Sequence, residues 1–191
     1  MSLRSRILHW SIPITKVVGK IGLWWVKRRV TSSDVAAFTS LLRPGDALLS
    51  AIEWELSNLF IEGFWSHQAI YAGDGIVIEA VGTGVNQLSL ADFMLKKDHV
   101  AAYRPRFATA FEGIQAVQWC KARVGLPYDF YFEWQMTDNN AFYCAELYGA
   151  AYMAILGPAC PFLARKVMGE ITFVPQDVAN AHEKFALIIQ T

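Results

Sequence analysis

The chain has 191 residues, of which 54% are hydrophobic and 14% aromatic, a composition that provides a folded core and excludes a disordered protein. The formal net charge is zero, with 17 basic and 17 acidic residues, and we expect no nucleic-acid partner. Three cysteines are an odd number in a chain too long to need disulfides, which indicates a reducing compartment or a free thiol.

A basic N-terminal arm, residues 1–33, precedes the rest of the chain. It holds seven of the 17 Lys and Arg and no acid, whereas residues 34–191 carry ten bases and 17 acids. Lys16 and Lys20 interrupt its apolar residues and no cleavage site follows, so we expect a retained, cytoplasmic segment that does not span a bilayer. Residues 13–29 show helical spacing, which fits either a helix at the inner membrane face or one packed on the domain.

Turn and capping signals divide residues 34–191 into short helices and strands around one small sheet, which predicts an α+β domain. In the first half of this region we expect a helix after the Ser/Asp cap near residue 33, a strand over Ala47–Ser50, a helix in residues 51–64 and a hairpin around Gly73–Asp74–Gly75. A strand ended by Pro105 follows, and then a helix from the Thr109/Glu112 capping box towards Gly125. The last elements expected are a helix over residues 139–156, capped by Asp138, Asn139 or Asn140, and a final strand-like piece with a short helix.

Cys144 is the candidate nucleophile among the three cysteines. The caps predicted upstream place it in the first turn of its helix, where unpaired N–H groups and the helix dipole favour a thiolate and can hold an oxyanion. Cys120 falls in the middle of a helix and Cys160 between prolines, so both are interpreted as inert, which is the usual state of a cysteine.

His67 is the candidate general base, because its place in a predicted strand would hold its ring, whereas the other histidines, His9, His99 and His182, are scattered. Glu79 is the acid in the apolar strand "IVIEAV" and needs a partner. With a three-residue loop Ala72 pairs with Ile76, Glu79 falls opposite Ala69, and its side chain becomes a diagonal neighbour of His67. A two-residue loop without a bulge would turn Glu79 to the other face.

These segments, in the order "PGDALL", "WSHQAIYAGDGIVIEAVGTGVNQLSLADF", "VGLPYDFYF" and "FYCAELYGAAY", resemble the permuted papain-like amidases of the YiiX and YaeF type, in the wider NlpC-type superfamily of cysteine peptidases. The resemblance covers roughly residues 43–180. It implies a circularly permuted papain-like fold with a small antiparallel sheet, and a triad of Cys144, His67 and Glu79. It also suggests Tyr128 as an oxyanion-site residue, although a tyrosine that merely packs beside the helix is an equal alternative.

The implied activity is hydrolysis of an amide bond in a peptide-like substrate through an acyl-enzyme. Two alternatives stay open: a lipid acyl hydrolase or acyltransferase at a membrane surface, similar to lecithin retinol acyltransferase, and a binding module without turnover. CxxC pairs, HExxH and nucleotide-binding loops are absent from the sequence, so we expect no metal and no cofactor. The sequence leaves the oligomeric state undefined.

Overall fold

The computed structural model describes residues 29–52, 63–130, 140–161, 165–167 and 170–191. The arm before Arg29 and most of the helix expected in residues 51–64 lie outside these ranges. The division at residue 33 therefore stays a prediction.

Six strands form one antiparallel sheet in the order β4-β3-β2-β1-β5-β8, and two further strands, β6 and β7, pair separately. The strands are β1 (Ala47–Ala51), β2 (His67–Gly73), β3 (Ile76–Val81), β4 (Gly84–Ser89), β5 (His99–Pro105), β6 (Arg165–Val167), β7 (Glu170–Thr172) and β8 (Phe185–Gln190). The helices are α1 (Ser32–Leu41), α2 (Leu90–Met94), α3 (Ala110–Lys121), α4 (Cys144–Leu156) and α5 (Pro175–Asn180), with a 3₁₀ turn at Gly157–Ala159. The small antiparallel sheet with separate helices confirms the α+β prediction.

Helices cover both faces of the sheet. Because neighbouring strand residues point to opposite faces, Leu49 and Ile70 pack with α3 and α4, whereas Leu48 and Ala69 pack with α1 and α2.

Hydrogen bonds to the loop before β1 define the direction in which α4 runs across the sheet. The hydroxyls of Tyr148 and Tyr152 donate to the Gly45 carbonyl just before β1, at 3.1 and 2.8 Å. The start of α4 therefore lies towards the other end of β1, where β2 begins.

Most local predictions agree with the fold. Helix α3 begins at the capping box, where the Thr109 side chain accepts from the Glu112 N–H and the Glu112 carboxylate accepts from the Thr109 N–H. Strands β4 and β8 were not predicted. The sequence pattern of β4 was not recognised, and β8 follows the short helix that was expected to be the last element. None of the helices in the described part of the chain is long and apolar enough to cross a membrane.

Candidate active site

Helix α4 begins at Cys144, so this cysteine is the first helical residue. Tyr143 before it has an extended backbone (φ −88°, ψ 169°), and its N–H donates to the Glu146 carboxylate at 3.3 Å. The predicted caps at Asp138, Asn139 and Asn140 are therefore wrong. Asn140 lies in a turn before the helix, and the first two fall outside the described residues. The placement of Cys144 in the first turn is nevertheless correct, and its side chain is 5% exposed.

The hairpin of β2 and β3 brings His67 and Glu79 together. Glu79 lies opposite Ala69, as predicted, but Gly73 rather than Ala72 pairs with Ile76. The turn has two residues, and a bulge between Tyr71 and Gly73 restores the register that a three-residue loop would give. Positive φ angles at Gly73, Asp74 and Gly75 allow this tight connection.

His67 and Glu79 form a close ion pair. Nε2 of His67 lies 2.7 Å from Oε2 of Glu79, and the two side chains are 15% and 12% exposed. Burial by itself raises the pKa of Glu79. The hydrogen bond and charge of His67, followed by the charges of Lys97 and Lys96, outweigh that effect and lower it. A carboxylate beside an imidazole orients the ring and stabilises its protonated form.

Cys144 lies close enough to His67 for its side chain to act on the pKa of the imidazole. Since Nε2 of the ring faces Glu79, Nδ1 is the nitrogen left for the sulfur. Burial acts to lower the pKa of His67, but the hydrogen bonds to Cys144 and Glu79 and the charges of both partners raise it to about 9. This arrangement can hold an imidazolium between a carboxylate and a thiolate, with the sulfur at a helix N-terminus.

Tyr128 lies close to the start of α4. Its backbone forms a parallel bridge with Phe142, two residues before Cys144, and the Phe142 N–H donates to the Pro127 carbonyl at 3.2 Å. A backbone hydrogen bond from Cys144 acts to lower the pKa of the Tyr128 hydroxyl. Burial, followed by the charge of Cys144, raises the Tyr128 pKa well above its ordinary value, so the hydroxyl keeps its proton and can donate it to a substrate oxygen.

The remaining candidate residues lie elsewhere. Cys120 is fully buried in α3, where its thiol donates to the Leu147 carbonyl at 3.9 Å and burial raises its pKa to about 12. Cys160 is partly exposed after the 3₁₀ turn. The His99 ring packs against Phe64, with ring centroids 5.2 Å apart. His9 falls outside the described residues.

Three residues near the site were not predicted from the sequence. The Phe93 ring of α2 packs against His67 with centroids 6.0 Å apart, and Lys97 Nζ lies 5.6 Å from the Phe93 ring centroid. Lys96 precedes it in the sequence, and the charges of both lysines lower the pKa of Glu79. Their distance from His67 and Glu79 in sequence left no local pattern that could have revealed them.

Most of the chain matches a known protein family. Residues 41–189 match the family described as "permuted papain-like amidase enzyme, YaeF/YiiX, C92 family". The chain belongs to this family. The permuted papain-like amidases suggest a cysteine peptidase or amidase-type hydrolase, and the order of His67 and Glu79 before Cys144 agrees with the permutation.

A solved structure shares the fold of this permuted papain-like amidase. It is described as the crystal structure of metalloprotein yiiX from Escherichia coli O157:H7, with 20% identity, a TM-score of 0.61, and coverage of 78% of this chain and 97% of the other. A search of the curated proteins gave no match. The word metalloprotein applies to the neighbour. In the part of the chain that the structure describes, no group of three or more His, Cys, Asp or Glu could hold a metal ion.

Proposed function

We propose that the protein is a thiol hydrolase that cleaves an amide bond through Cys144, His67 and Glu79. The observations that carry the proposal are the 2.7 Å pair of His67 and Glu79 and the position of Cys144, which begins α4 and acts on the same imidazole. Membership of the permuted papain-like amidases supports the reaction class. The fold alone would not, because one fold can serve many functions.

In the proposed acylation step, His67 takes the thiol proton of Cys144 and the sulfur attacks the carbonyl carbon of the amide. The Tyr128 hydroxyl and the N–H groups at the start of α4 stabilise the oxyanion of the tetrahedral intermediate. The C–N bond then breaks, and His67 gives its proton to the leaving amine. Glu79 keeps the imidazolium oriented throughout this exchange.

Deacylation repeats the same steps with water in place of the thiol. His67 removes a proton from the water, the hydroxide attacks the thioester carbon, and the C–S bond breaks. The acid product leaves and Cys144 recovers its proton. Every atom comes from the substrate, water or the three side chains, so the cycle needs no cofactor.

The test is alkylation of the thiols by iodoacetamide as a function of pH, followed by intact mass. We expect one thiol of the wild type to react well below pH 8.5, near which an ordinary cysteine titrates. Cys144→Ala and His67→Ala should each remove this early reaction. Early reaction at Cys120 or Cys160, or none at any thiol, would instead favour a binding module without turnover.

A lipid acyl substrate is the second candidate, supported by the surface beside β2. Phe64 is 51% exposed and contacts both Trp65 and His99, and Arg29 Nη1 lies 3.4 Å from Nε2 of His99. An exposed aromatic ring beside basic groups suits a membrane surface. On this reading the protein would act at the inner face of the membrane, with the arm as an added contact.

Co-sedimentation with anionic liposomes tests whether the protein binds a membrane surface, as the lipid-substrate alternative requires. The full chain is compared with a form that begins at Arg29, because this form keeps the buried Val30 and the helix cap at Thr31. Loss of sedimentation in the shorter form would support membrane contact through residues 13–29. Equal recovery of both forms would remove the arm from the proposal.

A further inference from the structure

The segment from Thr172 to Gln176 joins β7 to α5, and its first residues contact the residue before the candidate nucleophile. The hydroxyls of Tyr143 and Thr172 lie 3.0 Å apart and form a hydrogen bond, and the Phe173 N–H donates to the Tyr143 hydroxyl at 3.2 Å. The side chains of all three residues are buried. Because Tyr143 directly precedes Cys144 in the chain, these contacts hold the backbone where α4 begins.

The other end of the same segment contacts the chain that leads into β2. Oε1 of Gln176 accepts from the Phe64 N–H at 2.9 Å and from the Trp65 N–H at 3.3 Å. Gly63 passes so close that a Cβ atom there would lie 2.6 Å from Cγ of Gln176, and its φ of 107° also favours glycine. The Gln176 side chain therefore holds the backbone just before His67.

The conformation of the segment fixes the distance between these two sets of contacts. Strand β7 ends at Thr172, and Pro175, whose ring fixes its own φ, is the first residue of α5. The Val174 N–H donates to the Asp177 carboxylate at 2.9 Å, which satisfies a donor at the start of the helix. Because the segment is short and restrained in this way, a displacement at one contact is passed on to the other.

The need to satisfy buried polar groups explains each of these hydrogen bonds singly, because a buried donor or acceptor without a partner destabilises a fold. It does not require that both sets of contacts come from one short segment. They lie directly before Cys144 and just before His67, the pair on which the proposed reaction depends. Hydrogen-bonded groups behind a site hold its reacting side chains in place, and a displacement of about 1 Å can lower a rate about 10²-fold.

We propose that Thr172 and Gln176 are positioning residues, which keep the proposed nucleophile and general base at their reactive separation. Thr172 acts through Tyr143, and Gln176 acts through the backbone that enters β2. Neither residue is required to touch the substrate. The inference rests on the proposed function and extends its site to the connection between β7 and α5.

Two buried tyrosines give a matched test, because their hydroxyls form hydrogen bonds towards opposite ends of α4. Tyr143→Phe removes the contact with Thr172, whereas Tyr152→Phe removes the bond to the Gly45 carbonyl. Both variants should unfold at a lower urea concentration than the wild type. Only Tyr143→Phe should slow the burst of p-nitrophenolate from p-nitrophenyl acetate, by about tenfold, because Cys144 is then less well placed.

The two positioning residues are tested by variants that differ in one polar group. Thr172→Val removes the hydroxyl and should slow the burst by about as much as Tyr143→Phe, whereas Thr172→Ser keeps the hydroxyl and should restore the wild-type rate. Gln176→Met removes the acceptor and should slow the burst by about threefold or more. Asn180→Ala removes only the hydrogen bond that Nε2 of Gln176 donates to Asn180 at 2.9 Å, and should leave the rate unchanged.

The titration of His67 gives a readout that a loss of stability alone would not change. Burial acts to lower the His67 pKa, and Cys144 is among the groups that raise it to about 9. A looser arrangement of the two side chains should therefore lower this pKa. NMR titration of the ring protons should show a lower value in Tyr143→Phe and Thr172→Val, and an unchanged value in Tyr152→Phe.

Failure of the inference and failure of the proposed function give different results. If Tyr143→Phe and Thr172→Val keep the burst rate and the His67 pKa of the wild type, the positioning role is overturned and the hydrolase proposal stands. Equal slowing by Tyr143→Phe and Tyr152→Phe would also overturn the positioning role, since lost stability would explain both. If the wild type gives no burst, the hydrolase proposal fails, and the positioning role that rests on it fails with it.

Discussion

The interior of α3 and the start of α4 place a cysteine in two different environments. Cys120 is fully buried among apolar side chains, and burial raises its pKa to about 12. Cys144 is almost as buried, but it begins a helix and acts to raise the pKa of the His67 imidazole. The comparison teaches that low exposure does not decide the chemistry of a thiol. A helix N-terminus and a basic partner distinguish the candidate nucleophile from the structural cysteine.

The largest effect is expected when Cys144 and Cys120 are each replaced by alanine in separate variants. Cys144→Ala should abolish the burst of p-nitrophenolate released from p-nitrophenyl acetate, with a loss of at least about 10³-fold in acylation rate. Cys120→Ala should keep the burst and lower the free energy of unfolding by about 1–2 kcal/mol, because it leaves a small cavity in the core. Stopped-flow absorbance and urea unfolding measure the two effects. If Cys120→Ala removed the burst while Cys144→Ala kept it, Cys120 would be the nucleophile and the comparison would be reversed.

Replacing the orienting carboxylate should have the next largest effect. In Glu79→Gln we expect the acylation rate to fall by roughly 10²-fold, since the amide neither stabilises the imidazolium nor holds its tautomer as well. The pKa of His67 should move down from about 9 towards its ordinary 6.5, a shift that NMR titration of the ring protons measures. A His67 titration identical to that of the wild type would show that Glu79 does not act on the ring.

The same variant changes how stability depends on pH. In the wild type the folded pKa of His67 lies above its unfolded value, so its contribution is complete below about pH 6.5 and is lost as pH rises through about 9. The Glu79 pKa is lowered, so its contribution is present above 4.5 and is lost as pH falls through its folded pKa. Urea unfolding at pH 6 and pH 9.5 should therefore differ more for the wild type than for Glu79→Gln.

Tyr128→Phe should have a smaller effect, which separates oxyanion binding from thiol activation. We expect acylation by p-nitrophenyl acetate to fall by about tenfold, less than a dedicated oxyanion donor contributes, because the N–H groups at the start of α4 would still bind the oxyanion. Alkylation by iodoacetamide forms no oxyanion and should keep its rate. Equal losses in both reactions would mean that Tyr128 positions the thiol.

Sequence patterns predicted elements whose signals are local. The Thr109/Glu112 capping box located α3, and the glycine-rich turn located the β2–β3 hairpin. The position of Glu79 opposite Ala69 was correct although the turn was not, because one extra loop residue and one bulged residue shift the register equally. Asn and Asp side chains suggested an early start for α4, whereas the Glu146 carboxylate at its third position was the better signal.

Contacts between distant segments were less accessible from the sequence. The bridge between Tyr128 and Phe142 and the packing of Phe93 on His67 depend on how strands and helices assemble. The family resemblance suggested Tyr128 as an oxyanion-site residue, but it indicated neither the bridge to Phe142 nor the packing of Phe93 on His67. Strand β8 was also missed, since its pairing with β5 is formed only when the chain end returns to the sheet edge.

The smallest expected effect concerns a buried polar group beside the candidate site. Gln68 follows His67 in β2 but faces α3 and α4, where it is fully buried, and neither its Oε1 nor its Nε2 has a hydrogen-bond partner among the described residues. Gln68→Met keeps a similar volume without the desolvated amide and should raise the free energy of unfolding by about 1 kcal/mol. Gln87→Met, at the exposed position of β4, is the matched control, with an expected change near zero. A lower stability in Gln68→Met would contradict this account.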